Sequence, residues 1–298
     1  MMQHLPTDRF TVKDIYIDKK GTWYDRGRES TPDRALRGVD AVLIGLHGEY
    51  GEDGEVQKLL TRFGIPYTGS DALGSFLAMH KYLAKQRAKE AGLLVPRDVL
   101  VESADQIDAA VREAVQTFMQ PLVVKPLRWG SSVGVQLAHG HLPVYEAVRK
   151  LFEEGAGGVL LEERIRGTEA TAGVVEHFRS EHLYALPPIE IVPPASDFFS
   201  YDAKYSGRTQ EICPGRFSRK VSEELQQAAQ TMHDALGLRH YSRSDFIVSQ
   251  KGIYYLETNT LPGMTQESLL PKSLTAVGVG YPEFLTHLVT LAVEPNAA

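Results

Sequence analysis

The stretch Arg243-Ser244-Asp245-Phe246-Ile247-Val248, followed by Tyr254-Tyr255-Leu256-Glu257-Thr258-Asn259, decides the reading of this chain. Two runs rich in β-branched and aromatic residues flank the turn-like Gln250-Lys251-Gly252, so the segment reads as a hairpin. Folded about Lys251, it sets Asp245 opposite Glu257 and Arg243 opposite Asn259, with all four side chains on one face. Opposed side chains have Cβ atoms about 5 Å apart, and like charges there repel. Two facing carboxylates with a nearby amide make sense around a hard cation. Oxygen-only ligands suit magnesium, which commonly binds substrate phosphates as well. A solvated acidic sheet face would carry the same two carboxylates; Asn259 and Arg243 weigh toward the cation.

The 298 residues are 43% hydrophobic and 23% charged, as in an ordinary globular protein of two or three lobes. A net charge of −6 with no Lys/Arg block argues against nucleic acid as the main partner. The single Cys213 excludes an intrachain disulfide, and the ten histidines show no zinc-ligand spacing. No apolar run reaches membrane-spanning length, and Met1-Met2-Gln3-His4-Leu5-Pro6 lacks signal-peptide character. The expectation is a cytoplasmic chain with no membrane partner.

Hydrophobic patterning predicts an α/β chain whose lobes mix helices and sheet. Residues 11–18 alternate as a strand that turns at Lys19-Lys20-Gly21. Residues 41–46 form a continuous apolar run, as in a strand buried on both faces. Val56, Leu59, Leu60 and Phe63 follow with helical spacing, and Ile65-Pro66-Tyr67-Thr68 begins another strand. This β–α–β rhythm predicts a parallel-sheet lobe over 1–70, then lobes over 71–162 and 163–298. In the second, a helix is expected near 77–91 and another, capped by Ser103, carries Ile107, Val111 and Val115. Strands follow at 121–125, 133–137 and 159–162. In the third, residues 172–175 and 189–192 read as strands. Residues 198–210 form a long polar-aromatic loop, Ser222 caps a helix, and an amphipathic helix closes the chain at 283–293.

Other segments add chemistry. Gly130-Ser131-Ser132-Val133-Gly134, just after Lys125-Pro126, offers backbone and hydroxyl donors to an anion, with the Lys125 ammonium at the strand end. A plain hairpin would look similar. Glu162-Glu163-Arg164-Ile165 ends a strand where adenine and ribose could be held. Lys204-Tyr205 lies in the long loop, as a lid over a reactive intermediate would require. Gly263 can aim an N–H at a developing oxyanion, and His47-Gly48-Glu49-Tyr50-Gly51-Glu52-Asp53-Gly54 follows the apolar run where open α/β sheets bind ligands.

Together these segments resemble the D-alanine–D-alanine ligase family of the ATP-grasp superfamily. The segments from His47 to Gly54 and from Ile65 to Ser70 are similar to its first-lobe signature, and Ala78-Met79-His80-Lys81 to its central-lobe entry. Lys125 to Gly134 resembles its phosphate loop, and Tyr201-Asp202-Ala203-Lys204-Tyr205 its lid. Arg243-Ser244-Asp245, Glu257 to Thr265 and Ser268-Leu269 resemble its metal, oxyanion and second-substrate segments. The resemblance implies an ATP-grasp fold and ATP held by Lys81, Lys125, Ser132, Glu162, Glu163, Ile165, Glu169 and Lys204. It implies two magnesium ions, or manganese, on Asp245, Glu257 and Asn259. Arg243, Ser131, Tyr205 and Gly263 would serve catalysis, and His47, Ser268 and Leu269 would bind substrate. It also implies a homodimer. The Lys204-Tyr205 pair favours D-alanine as second substrate over the lactate of vancomycin-resistance ligases, whose lid carries a His.

The sequence departs from that family in three places. His80 stands where Asp usually precedes the lysine, Trp129 lies in the phosphate loop, and Met1 to Phe10 lacks the family's opening Gly-x-Ser-x-Glu segment. The expected first lobe is therefore an incomplete parallel-sheet (pre-ATP-grasp) lobe, short of the acidic residue that binds the first substrate's ammonium. Two other readings remain: an ATP-binding module that no longer ligates, and a ligase for another carboxylate and amine.

Overall fold

The computed structural model describes residues 1–130, 132–193 and 209–294. The first lobe is an antiparallel meander of β1 (Ile15–Ile17), β2 (Trp23–Asp25) and β3 (Arg28–Ser30), followed by α1 (Pro32–Ala35) and α2 (Glu55–Arg62). The turn at residues 19–21 is as expected. The apolar run at 41–46 forms no strand: it makes one parallel bridge, Val42 to Tyr67, and only Ile44 is fully buried. Among the described residues no strand flanks that bridge, so the expected parallel sheet shrinks to a single contact.

Helices α3 (Ala72–Met79) and α4 (Lys81–Glu90) replace the single helix expected near 77–91. The break falls at His80, whose φ of −86° and ψ of 90° end one helix and whose Nδ1 accepts the Leu83 N–H at 3.3 Å to start the next. His80 thus performs the N-cap task that an aspartate performs elsewhere. Burial, with Arg128 nearby, lowers its pKa and keeps Nδ1 free to accept.

The central sheet has strand order β4-β7-β5-β6, all neighbours antiparallel, with β4 at Asp98–Val101, β5 at Leu122–Pro126, β6 at Gln136–Ala138 and β7 at Val159–Glu163. Helices α5 (Ile107–Thr117) and α6 (His141–Glu153) cover one face. Ile107, Ala110, Val111 and Ala114 recur at helical spacing and are all buried, which is why α5 lies flat on the sheet. Ser103 makes no side-chain cap; a short 3₁₀ turn, Ala104–Gln106, leads into α5 instead.

The large sheet contains β8 (Thr168–Phe178), β9 (Glu181–Ala185), β10 (Ile189–Val192), β11 (Gln210–Ile212), β12 (Tyr241–Ser249) and β13 (Gly252–Asn259). Helix α7 (Arg219–Ala235) packs Leu225, Ala228, Ala229 and Met232 onto it; its cap is Ser218, whose Oγ accepts the Val221 N–H, rather than the expected Ser222. Ala84 and Ala88 of α4 join the same core. Finally α8 (Leu269–Ala276) and α9 (Tyr281–Val293) share a core with the first lobe, through Leu270, Leu274, Phe284 and Leu288 against Trp23, Leu36 and Leu60.

His240 ties first and third lobes together. Its φ is 65°, and its Nδ1 accepts the Gly69 N–H at 3.0 Å, which requires an unprotonated Nδ1. Burial, with Arg239 alongside, drives its pKa down to about 4. An unfolded histidine titrates near 6.5. Between those values the unfolded chain binds the extra proton, so stability falls as pH drops through the window, by about 3 kcal/mol in all. Above about 6.5 the group contributes no slope. The difference in urea-unfolding free energy between wild type and His240→Asn should therefore be constant above about pH 7 and move in the variant's favour as pH falls to about 4.5. Asn suits the left-handed backbone there and can still accept from Gly69. A pH-independent difference would contradict this account.

Candidate active site

The hairpin of β12 and β13 places its key residues in the register read from sequence: Arg243 faces Asn259 and Asp245 faces Glu257. The route differs. The turn is the two-residue Gln250-Lys251, and Ser249 pairs with Gly252. Continued unbroken, that register would pair Asp245 with Leu256. A bulge at Leu256 absorbs one residue and brings Glu257 opposite the aspartate. Bulges commonly re-aim side chains beside active sites.

Two buried cations meet these carboxylates. Arg243 forks onto Asp245, Nε to Oδ1 and Nη2 to Oδ2, each at 3.0 Å. Lys81 lies 3.5 Å from Glu257 and donates to the Trp129 carbonyl at 2.6 Å. Asp245 also accepts from the Thr171 hydroxyl at 2.6 Å and the Asn259 amide at 3.3 Å. Burial opposes the charge on Arg243, but Asp245, Glu257 and Glu52 around it raise its pKa on balance. Among the described residues no cluster of three His, Cys, Asp or Glu side chains forms a metal site. The oxygen set of Asp245, Glu257 and Asn259, with its facing carboxylates, nonetheless fits a hard cation.

A cleft between the central and large sheets is lined by Lys81, Lys125, Ser132, Glu162, Glu163, Ile165, Glu169, Arg243, Asp245, Glu257 and Leu269. Its floor is ionic. Glu162, 2% exposed, receives Lys125 at 2.8 Å on one oxygen and Lys85 at 2.6 Å on the other. Burial raises the Glu162 pKa, but the two ammoniums outweigh it and hold the carboxyl below its usual range. Lys125 moves down, chiefly through burial and also through the neighbouring Lys85 and Lys81. Glu163, expected to hold nucleotide, lines the cleft and pairs its carboxylate with Arg97, at 2.9 Å to Nη2.

Asn259 lines an adjoining recess with Lys81, Glu257 and Glu52. His47 is exposed, and its Nδ1 lies 2.9 Å from the Leu261 carbonyl. Glu52 was not singled out by sequence reasoning. It accepts the Gly48 N–H at 2.6 Å and the Leu261 N–H at 3.3 Å, clamping the first-lobe loop to the segment after β13. Burial raises its pKa, opposed by those N–H groups and by His47 and Arg243. A carboxylate inside the quoted glycine-rich motif was the available signal. Gly263 does not adopt the left-handed conformation, and a Cβ there would lie 2.7 Å from the Ser268 Oγ, so a side chain would force that hydroxyl to move. Ser268, directly before α8, in turn accepts the Thr265 N–H at 3.1 Å. Trp129 fills space against Gly134, where a Cβ would lie 3.2 Å from its ring. Ser131, Lys204 and Tyr205 lie outside the described residues.

Known proteins place this geometry. The family described as D-ala D-ala ligase C-terminus matches residues 88–290, and that described as D-ala D-ala ligase N-terminus matches residues 25–70. The D-alanine–D-alanine ligase of Desulfotalea psychrophila is 41% identical over 261 residues, covering 87% of this chain and 80% of that protein. That of Syntrophobacter fumaroxidans is 41% identical over 258 residues, 86% of this chain and 81% of its own. The VanG D-Ala:D-Ser ligase from Enterococcus faecalis superposes with a TM-score of 0.86 at 29% identity, covering 98% of this chain and 92% of that one. The D-alanine–D-alanine ligase from Bacillus anthracis complexed with ATP gives 0.71 at 30% identity, over 88% and 81%. With these matches running through the hairpin, the ionic cleft and the first-lobe loop alike, the chain belongs to the ATP-grasp family of D-alanine–D-alanine ligases.

Proposed function

We propose that this chain joins two D-alanines into D-alanyl-D-alanine at the expense of ATP, in the cytoplasm, as a precursor for peptidoglycan. The observation that carries the reading is the bulged register that sets Asp245 against Glu257 beside the Lys81 and Lys125 ammoniums. Lys81, Lys125 and Ser132 bind the phosphates, while Glu162, Glu163, Ile165 and Glu169 border the base and ribose. Asp245, Glu257 and Asn259 would hold magnesium, which when bound neutralises phosphate charge. The first D-alanine's carboxylate attacks the γ-phosphorus, releasing ADP and forming an acyl phosphate. The second D-alanine's amine then attacks the acyl carbon, loses a proton, and expels phosphate. Arg243 and the Gly263 N–H stabilise the negative oxygen of the tetrahedral intermediate. Ser268 and Leu269 at the start of α8 receive the second carboxylate, and His47 braces the loop beside them. Exclusion of water protects the acyl phosphate; Ser131 and Tyr205 are proposed for that closure, and Lys204 for ATP binding. A homodimer without nucleic-acid or membrane partners completes the proposal.

An amino-acid panel assayed for ADP release tests the substrate assignment. D-Alanine alone should support turnover, and D-serine as second substrate should do so weakly. Turnover with a different carboxylate and amine, and none with D-alanine, would overturn it. Mg-ATP binding by calorimetry with no amino-acid response would identify a non-ligating module.

A further inference from the structure

Lys85 is fully buried on α4, one helical turn beyond Lys81, yet it does not line the cleft. Its ammonium pairs with Asp98 of β4 and with Glu162 of β7, while the opposite oxygen of Glu162 takes Lys125. Lys89 approaches the same aspartate only from the surface, at 3.8 Å. Four buried charges, two of each sign, therefore form a row that runs from Asp98 on β4 through Lys85 and Glu162 to Lys125 at the cleft.

The order of that row matters. Lys125 faces the cleft and must share its ammonium when an anion arrives. If Glu162 had Lys125 as its only partner, drawing the ammonium toward a phosphate would strand a buried carboxylate, which is strongly unfavourable. Lys85 removes that cost because it stays on Glu162. We infer that Lys85 is a positioning residue for nucleotide binding, holding Glu162 compensated so that Lys125 can turn to a phosphate. This inference rests on the ATP reading above. A simpler role, an ion pair pinning α4 to the central sheet, would affect stability without touching nucleotide affinity selectively.

Calorimetry with the magnesium complex of a non-hydrolysable ATP analogue, on the full chain, separates the two. Lys85→Met should weaken binding about 10- to 100-fold, the loss expected for one charged hydrogen bond. In steady state the KM for ATP should rise with it while the KM for D-alanine stays. In a Lys125→Ala background the Lys85→Met loss should disappear, because no ammonium remains to be released. Lys85→Met alone leaves the buried Asp98 with only the surface ammonium of Lys89, at 3.8 Å, and can fail to fold. The double variant Lys85→Met/Asp98→Leu removes both charges and keeps the site filled, a replacement that proteins commonly tolerate. It should fold and still bind the analogue at least tenfold more weakly than wild type. A folded double variant with wild-type affinity overturns the role of Lys85 alone. Wild type that fails to bind the analogue overturns the ATP reading and this inference with it.

Discussion

Arg243→Ala should lower turnover by about 100- to 1000-fold, the loss typical of removing one oxyanion donor. The same change should destabilise the fold by about 3 kcal/mol, because Asp245 loses a bidentate partner that is itself 8% exposed. Arg243→Lys separates the two effects. An ammonium keeps the charge but not the fork, so stability should largely return while activity stays well below wild type. Single-turnover rates and urea unfolding of the three chains check this. Equal rates for wild type and Arg243→Lys would show that the fork geometry is irrelevant to catalysis.

Glu257→Gln is expected to separate activity from stability in the opposite sense. The substitution preserves volume and removes one of two facing carboxylates, whose repulsion the fold otherwise tolerates. Lys81 keeps its bond to the Trp129 carbonyl, so no buried ammonium is stranded. The thermal midpoint should hold or rise slightly. ADP formation should fall by about 1000-fold, because the donor set for a hard cation loses half of its carboxylate charge. Such a trade between stability and activity marks a site kept for function. A stable variant with near-normal turnover would remove Glu257 from the machinery.

The hairpin shows why some of the site was legible and some was not. Counting from a turn at Lys251 paired Asp245 with Glu257 correctly, although the true turn lies one half-step away and the Leu256 bulge restores the phase. Alternation cannot reveal a bulge, since both registers bury acceptable residues. The helix break at His80 was hidden for a related reason: nothing in residues 77–91 breaks helical spacing, and the N-cap is a histidine rather than a common capping residue. At 41–46 an apolar run signalled burial but could not supply strand neighbours. Glu52 and Lys85 depend on partners more than 70 residues away, Leu261 and Glu162, and such contacts leave no local pattern. The motifs on β7 and on the β12–β13 hairpin were readable because their residues are neighbours along one strand or face each other across one short turn.

A working peptide-bond-forming site has one defining stoichiometry. Incubated with Mg-ATP and D-alanine, the chain should release ADP and phosphate and form D-alanyl-D-alanine in a one-to-one-to-one ratio, with no dipeptide in the absence of ATP. Mass-spectrometric quantification of dipeptide beside ADP reads this directly. ADP release without dipeptide, or a folded, ATP-binding chain that makes neither, would contradict the assignment of Asp245, Glu257 and Arg243 to a working peptide-bond-forming site.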